Sequence, residues 1–322
     1  MEEICYKLTD ERGEREGMHI ESLKVFCDLI DTRSFSKAAS KNFVSQSAVS
    51  QQVRALEERF DRKFVERTRN GIVPTAAGLV FYQGCREIIQ RYNSLNEEVK
   101  NLGETVSGQV RLETIYSVGL HELSPHITRF IKNYPQVNIH IEYSRPNKIY
   151  EDASNGLIDL GIVAYPASRP QIEIIPFRSD KLVLVCSPRH VLSSRRRIEV
   201  ECLKGESFIG FERDIPTRKA VDKILREHGV QARYAMEFDN IETIKRSIEA
   251  DLGVAILPRA TVENEVRAGT LKAISFTKSF TRPIALIHRK GRELSAAAQR
   301  FVEILTENNR SEEARGSKGV RE

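Results

Sequence analysis

The chain has no tryptophan in its 322 residues, and aromatic side chains make up only 7% of it. Intrinsic Trp fluorescence therefore cannot report binding. Cysteines number five (Cys5, Cys27, Cys85, Cys186 and Cys202), and none stands in a CxxC spacing. An odd, scattered set excludes a disulfide framework and a zinc finger. No apolar run reaches transmembrane length, and residues 1–17 lack the apolar core of a signal peptide. Neither export nor membrane insertion is expected. GxSxG, HExxH and phosphate-cradling glycine loops are all missing. The seven His residues form no i, i+4 pair, and His121 and His126 fall on different faces of one predicted helix. These gaps leave little room for an enzyme, a metal or a cofactor, and none of the three is expected. A net charge of +5 is too small to decide for or against nucleic acid, so the distribution of charge matters more.

What the chain does have is concentrated at residues 45–58, SQSAVSQQVRALEE. Ala48, Val49, Val53 and Leu56 recur at helical spacing and predict one buried face. The opposite face carries Gln46, Ser47, Ser50, Gln51 and Arg54, side chains suited to base edges and phosphate oxygens. Ser45 suits the N-cap. Ahead of it, Leu23, Val25, Phe26 and Ile30 outline one helix, and Ser34 caps a short second one through Phe35, Ala38 and Ala39. Asn42, Phe43 and Val44 turn into the long helix. Two helices joined by a tight turn make a helix-turn-helix. Residues 64–69, then Asn70-Gly71, then Ile72 and Val73 predict a hairpin. Arg67 and Arg69 make it a basic wing. Between Ser34 and Arg69, eight basic residues stand against four acidic ones.

The segment SFSKAASKNFVSQSAVSQQVRALEERFDRKFVERTRNGIVPTAAG resembles the N-terminal domain of LysR-type transcriptional regulators, with every element of the winged helix in order. Gln51 stands where many relatives carry Arg. That changes the expected base, since Arg favours guanine and Gln favours adenine. The stretch FDNIETIKRSIEADLGVAILP further resembles the branch that includes regulators of sulfur assimilation and carbon fixation. Some LysR-type proteins sense peroxide with a cysteine pair. Cys186 and Cys202 are the pair to consider, although buried, inert thiols fit a free Cys better.

Thr75 is expected to cap a long helix. Phe81, Cys85, Ile88, Tyr92, Leu95, Val99 and Leu102 then alternate steps of four and three, a heptad seam for a coiled-coil pair. A lone winged helix reads one half-site, so a dimerisation helix makes physical sense. The resemblance implies the same role for this linker helix. Strands and helices then alternate, which predicts an α/β architecture.

The resemblance implies a two-lobed effector domain with the fold of periplasmic binding proteins. The expected division is 1–17 disordered, 18–74 winged helix, 75–102 linker helix, 103–108 hinge, 109–308 effector domain and 309–322 disordered tail. Lobe I would hold 109–179 and 272–308, and lobe II 180–271. The chain would cross near 178–182 and 271–276. Either Met18 is the natural start or 1–17 is a loose arm, and both readings stay open.

Helix N-termini favour anions through free N–H groups and the macrodipole. Ser117 follows the first effector-domain strand and precedes a helix, with Gly119 beside it, and Thr217 begins one after Ile215-Pro216. Thr243 offers a further hydroxyl. Each alone reads as a plain cap. With the resemblance, Ser117, Val118, Thr217 and Thr243 become the effector-binding candidates. Asp214 and Arg218 flank Thr217 and can be simply solvated. The function expected is a cytoplasmic, bacterial regulator that binds promoter DNA as a homodimer or homotetramer, with RNA polymerase as a further partner. A small anionic effector would modulate it. The rivals are a solute-binding protein and a small-molecule enzyme on the same lobed fold.

Overall fold

The computed structural model describes residues 18–68, 71–100 and 106–316, in two compact bodies. The first holds α1 (Ile20–Thr32), α2 (Phe35–Lys41) and α3 (Gln46–Phe60). The antiparallel strands β1 (Val65–Thr68) and β2 (Gly71–Pro74) follow, then α4 (Ala76–Lys100). Ser34, Ser45 and Thr75 start three of these helices by accepting the backbone N–H groups of Lys37, Ala48 and Gly78 at 3.4, 3.1 and 2.9 Å. Each such cap is worth about 1 kcal/mol. Val49, Val53 and Leu56 of α3 join Phe26, Leu29 and Phe64 in one core, while Ala48 is only half-buried. Asp28 on α1 accepts from Asn42 Nδ2 at 2.8 Å, which fixes the turn before α3. A Cβ on Gly78 would lie 1.9 Å from the Phe64 carbonyl oxygen, so only glycine lets α4 approach this closely.

The wing differs from expectation by one residue. Thr68 pairs with Gly71, so Gly71 belongs to the second strand and not to the turn. Arg69 and Asn70 lie outside the described residues. Gly71 is the first strand residue, at φ +110°, where a Cβ would sit 3.1 Å from the Arg33 carbonyl oxygen. Ile72 N–H donates to that same oxygen at 3.3 Å.

The second body opens with β3 (Gly108–Thr114), α5 (Tyr116–Gly119), α6 (Ser124–Asn133), β4 (Val137–Tyr143), α7 (Pro146–Ser154) and β5 (Leu160–Ala164). The long β6 (Ile172–Cys186) leads to β7 (Arg197–Ile198), β8 (Ser207–Phe211), α8 (Pro216–Glu227) and β9 (Arg233–Phe238). Next come α9 (Ile241–Glu249), β10 (Ala255–Pro258), α10 (Glu263–Ala268) and β11 (Lys272–Phe276), and then β12 (Thr281–Arg289) and α11 (Ala296–Gly316). The main sheet runs β4-β3-β5-β12-β6-β11-β7, with β10 also on β6, and β8 pairs β9 apart from it. β6 is the strand both lobes share. Residues 172–181 pair with β12, and residues 182–186 with β10 and β11. Successive side chains leave opposite faces of a strand. Leu286 and Ile287 therefore enter different cores of lobe I, and Leu184 and Val185 different cores of lobe II.

Several boundaries differ from those expected. The sequence puts the return crossing near 271–276, with 272–308 in lobe I. Instead Ile274 and Phe276 are buried in the lobe II core, and the chain returns between Phe276 and Thr281. An alternating apolar strand suits either lobe, and its partner strands, β6 and β7, decide. The helix predicted to carry both His121 and His126 begins only at Ser124, with Pro125 in its first turn, so His121 lies in the turn between α5 and α6. The tail expected to be disordered from 309 is helical through Gly316. Once a helix is nucleated, each further residue adds a bond, and Glu312, Glu313, Ala314 and Arg315 propagate it well. Residues 1–17, 317–322 and half of the predicted hinge, 103–105, lie outside the described residues.

Candidate functional site

A cleft with about 480 Å³ of unfilled space, counted out to open solvent, lies between the lobes of the second body. Ser117, Ser144, Arg145 and Ala164 line it from lobe I, and Phe211, Thr217, Asp239 and Asn240 from lobe II. Three helices start at its wall. Arg145 is the N-cap residue of α7, Ile215 that of α8 and Asn240 that of α9, and all three line the cleft. Pro at the first turn of α7 and α8 preorganises those starts and removes a donor that would otherwise go unmet. Ser117 is 6% and Thr217 3% exposed. The Thr217 hydroxyl has no side-chain hydrogen bond among the described residues.

Two polar contacts bridge the lobes, the first of them at the cleft wall. Arg145 lies 2.9 Å from Glu212, 3.6 Å from Asp239 and 3.8 Å from Asp214. His121 Nε2 and Glu242 Oε1 are 2.8 Å apart. Burial works to raise the Glu242 pKa, but Lys245 and His121 outweigh it and hold the carboxyl below its ordinary range. The Arg145 cluster is half-exposed, so solvent screens it heavily. The buried hydroxyls of Ser117 and Thr217 face less of that screening.

Two of the four effector candidates lie elsewhere. Val118 is fully buried in the lobe I core. Thr243 donates both its hydroxyl and its N–H to Asn240 Oδ1, each at 3.1 Å, and does not line the cleft. The cap residue is the group α9 presents. Arg145 and Asn240 escaped the sequence reading although each directly precedes a helix, the same signal that picked out Thr217. Arg218 is not a solvated side chain. It stacks 3.3 Å from the Tyr234 ring centroid and donates to Asp222 at 2.9 Å and Glu237 at 2.8 Å. Cys186 is buried, and burial pushes its thiol up to about 11, away from the thiolate a peroxide sensor needs.

In the first body, α3 exposes Gln46, Ser47, Gln51 and Arg54, with Ser50 half-buried beside them. Ser34 and Ser45 are occupied as caps, and the Ser45 and Ser47 hydroxyls lie 2.9 Å apart. Arg67 is exposed on β1, its guanidinium 5.3 Å from the Phe35 ring centroid. Arg69 lies outside the described residues. Glu57 braces the wing, taking the N–H groups of Phe64 and Val65 at 2.8 and 3.2 Å. Residues 20–79 match the bacterial regulatory helix-turn-helix model of the lysR family, and residues 103–310 the LysR substrate binding domain.

The chain belongs to the LysR-type transcriptional regulators. The RuBisCO operon transcriptional regulator of Allochromatium vinosum is 27% identical over 294 residues, 89% of this chain and 96% of its own. Full-length OxyR from Pseudomonas aeruginosa shares the fold at a TM-score of 0.72 and 20% identity, over 90% of this chain and 94% of that one. The regulatory domain of Synechocystis CcmR, solved in complex with 2-PG, superposes at 0.58 with 25% identity, covering 62% of this chain and 96% of its own. These proteins are regulators and not enzymes. Among the described residues, no helix of this LysR-type chain is long and apolar enough to cross a membrane.

The linker helix of this regulator divides its predicted seam in two. Phe81 stacks on Phe64 with ring centroids 4.4 Å apart, and Cys85 is buried in the same core. These two face their own domain and not a partner. Ile88, Tyr92, Leu95 and Val99 are 48%, 46%, 49% and 58% exposed. Leu102 lies outside the described residues.

Proposed function

We propose that the effector of this LysR-type regulator is a small anion, a phosphate or carboxylate compound, held between Ser117 and Thr217. The supporting observation is that two buried hydroxyls from opposite lobes share a cleft walled by three helix starts. That arrangement offers hydrogen-bond donors and the positive ends of dipoles, which favour an anion, while Arg145 offsets part of the charge of Glu212, Asp214 and Asp239. The 2-PG bound to the CcmR regulatory domain is a ligand of this class. Gln46, Ser47, Ser50, Gln51 and Arg54 contact the major groove, and Arg67 and Arg69 contact phosphate. The regulator acts in the bacterial cytoplasm as a dimer through Ile88, Tyr92, Leu95 and Val99. Tetramers form through the effector domains, and RNA polymerase is a further partner. Effector binding shifts the arrangement on DNA only through unequal affinity for two states.

Thermal unfolding and calorimetry of the full chain test this reading, with 2-PG and sulfate as anions and glycerol as the neutral control. A ligand at a hundredfold its Kd stabilises by about 2.7 kcal/mol. A rise in Tm with an anion, none with glycerol, and loss of the rise in Thr217→Val are expected. If no anion moves the transition, the effector is of another class.

A further inference from the structure

A knot of four charges lies behind Ser117. Arg282, at the start of β12, is 1% exposed, as are the side chains of Glu122 and Asp180. Its Nη2 donates to Asp180 Oδ2 at 2.7 Å, and its Nη1 donates to Ser117 Oγ at 2.9 Å. Glu122 Oε1 stands 3.7 Å from Nη2. Arg178 Nε is 3.0 Å from Glu122 Oε2 and 3.2 Å from Asp180 Oδ1, without the alignment of a hydrogen bond to either. Asp180 and Arg282 are partners in the β6–β12 ladder, where β6 passes between the lobes.

A structural role accounts for this knot poorly. A buried ion pair is often no better for stability than apolar side chains of the same volume. Arg282 Nε and both Glu122 oxygens also lack hydrogen-bond partners. Ser117 supplies the missing purpose. A hydroxyl has one proton and two lone pairs. Arg282 takes a lone pair, and the proton is left for the cleft.

We propose that Arg282 is the positioning residue of the cleft: it holds Ser117 as a donor toward an acceptor oxygen of the effector and lends that oxygen a buried positive charge. The proposal rests on the anionic reading of the effector. Burial first, and then the charge of Asp180, push Glu122 up to about 8. Near neutral pH, a protonated Glu122 does not offset the guanidiniums of Arg178 and Arg282 beside it. Burial raises the pKa of Tyr165, which also neighbours Arg282 and Asp180. Because Arg282 sits at the crossing, occupancy at Ser117 reaches the strands that set the lobe angle.

The test needs no effector. Ser117→Cys puts a titratable thiol on the Arg282 guanidinium, and its alkylation rate against pH reports the local charge. Labelling is read peptide by peptide, since Cys202 is exposed. An opposite charge this close shifts a pKa by about 1–3 units. The alkylation midpoint should lie below the usual ~8.5 of a thiol. It should rise by at least about one unit in Ser117→Cys/Arg282→Met and recover in part with Arg282→Lys. Equal midpoints with and without Arg282 would overturn the proposal. If Arg282→Met does not fold, the single variant decides: a midpoint at or above the ordinary value overturns it. A failed titration beside intact anion binding removes only the role of Arg282. The converse removes only the anionic effector.

Discussion

Single side chains carry the two recognition events, and their expected costs follow from what each touches. Thr217 is buried at the cleft wall with its hydroxyl unpartnered among the described residues. A hydrogen bond to a charged acceptor is worth about 1.5–3 kcal/mol, roughly 10- to 150-fold in affinity. Thr217→Val should weaken effector binding by that factor and leave DNA affinity unchanged. Titrating both ligands against the same variant checks this, and a parallel loss of DNA binding would point to a folding defect. Gln51 and Arg67 make a second contrast. Gln51 is exposed on α3 and Arg67 on β1. Gln51→Ala should cost about 1–3 kcal/mol at the cognate site and relax preference at one base pair. Arg67→Ala should weaken every sequence alike and lower the salt slope by about one. Cognate and scrambled duplexes compared at several salt concentrations separate the two. If Gln51→Ala weakens both duplexes equally, that face of α3 does not read bases.

At the scale of elements, α4 is the one whose two halves do different work. Its first turns close on the winged helix through Phe81 and Cys85, helped by Tyr82, which donates to Asp31 at 2.5 Å. Ile88, Tyr92, Leu95 and Val99 continue the same stripe into solvent. Four large apolar side chains in line on one helix are costly to leave wet, at about 25 cal/mol per Å². Leu95→Glu should keep the helix and abolish dimerisation. Ile88→Pro should do so by breaking the helix, at about 3 kcal/mol or more. Sedimentation should then show the monomer mass, and an unchanged dimer would remove this stripe from the interface.

The whole molecule should respond to pH through the buried knot at the lobe crossing. The pKa of Glu122 rises from an ordinary 4.5 to about 8 on folding, chiefly by burial. Between those values the folded state binds the extra proton, so the contribution of Glu122 is complete below pH ~4.5 and is lost as pH rises toward ~8. Glu113, raised to about 7, first by burial and then by its hydrogen bond to Asp152, runs the same way. Glu57 and Glu242, held below their ordinary range, act in the opposite sense, but only on the acid side of it. Denaturant unfolding of the effector body should therefore show stability falling from pH 5.5 to 8.5. Glu122→Gln should flatten that fall. A profile parallel to the parent chain would mean Glu122 ionises normally.

Local physics was enough for much of this protein. Serine and threonine caps, the 3.6-residue apolar period of α3, and the turn residues of the wing act within a few positions of one another. The elements of the winged helix and the alternation of strands and helices in the effector body are therefore legible from the sequence. Helix-start logic reached Thr217 and, applied evenly, would have reached Arg145 and Asn240. What only the tertiary structure decided are the meetings between distant residues. The lobe that takes β11 depends on β6 and β7, and not on the alternation within Lys272–Phe276 itself. Arg145 meets Glu212 only when the lobes face each other. Arg282 meets Ser117 across 165 residues, and nothing in TRPIALIHR marks that arginine as buried. The one-dimensional pattern encodes which face of an element is apolar. Which charge is desolvated, and against whom, is a property of packing, because the penalty appears only once neighbouring elements exclude the water.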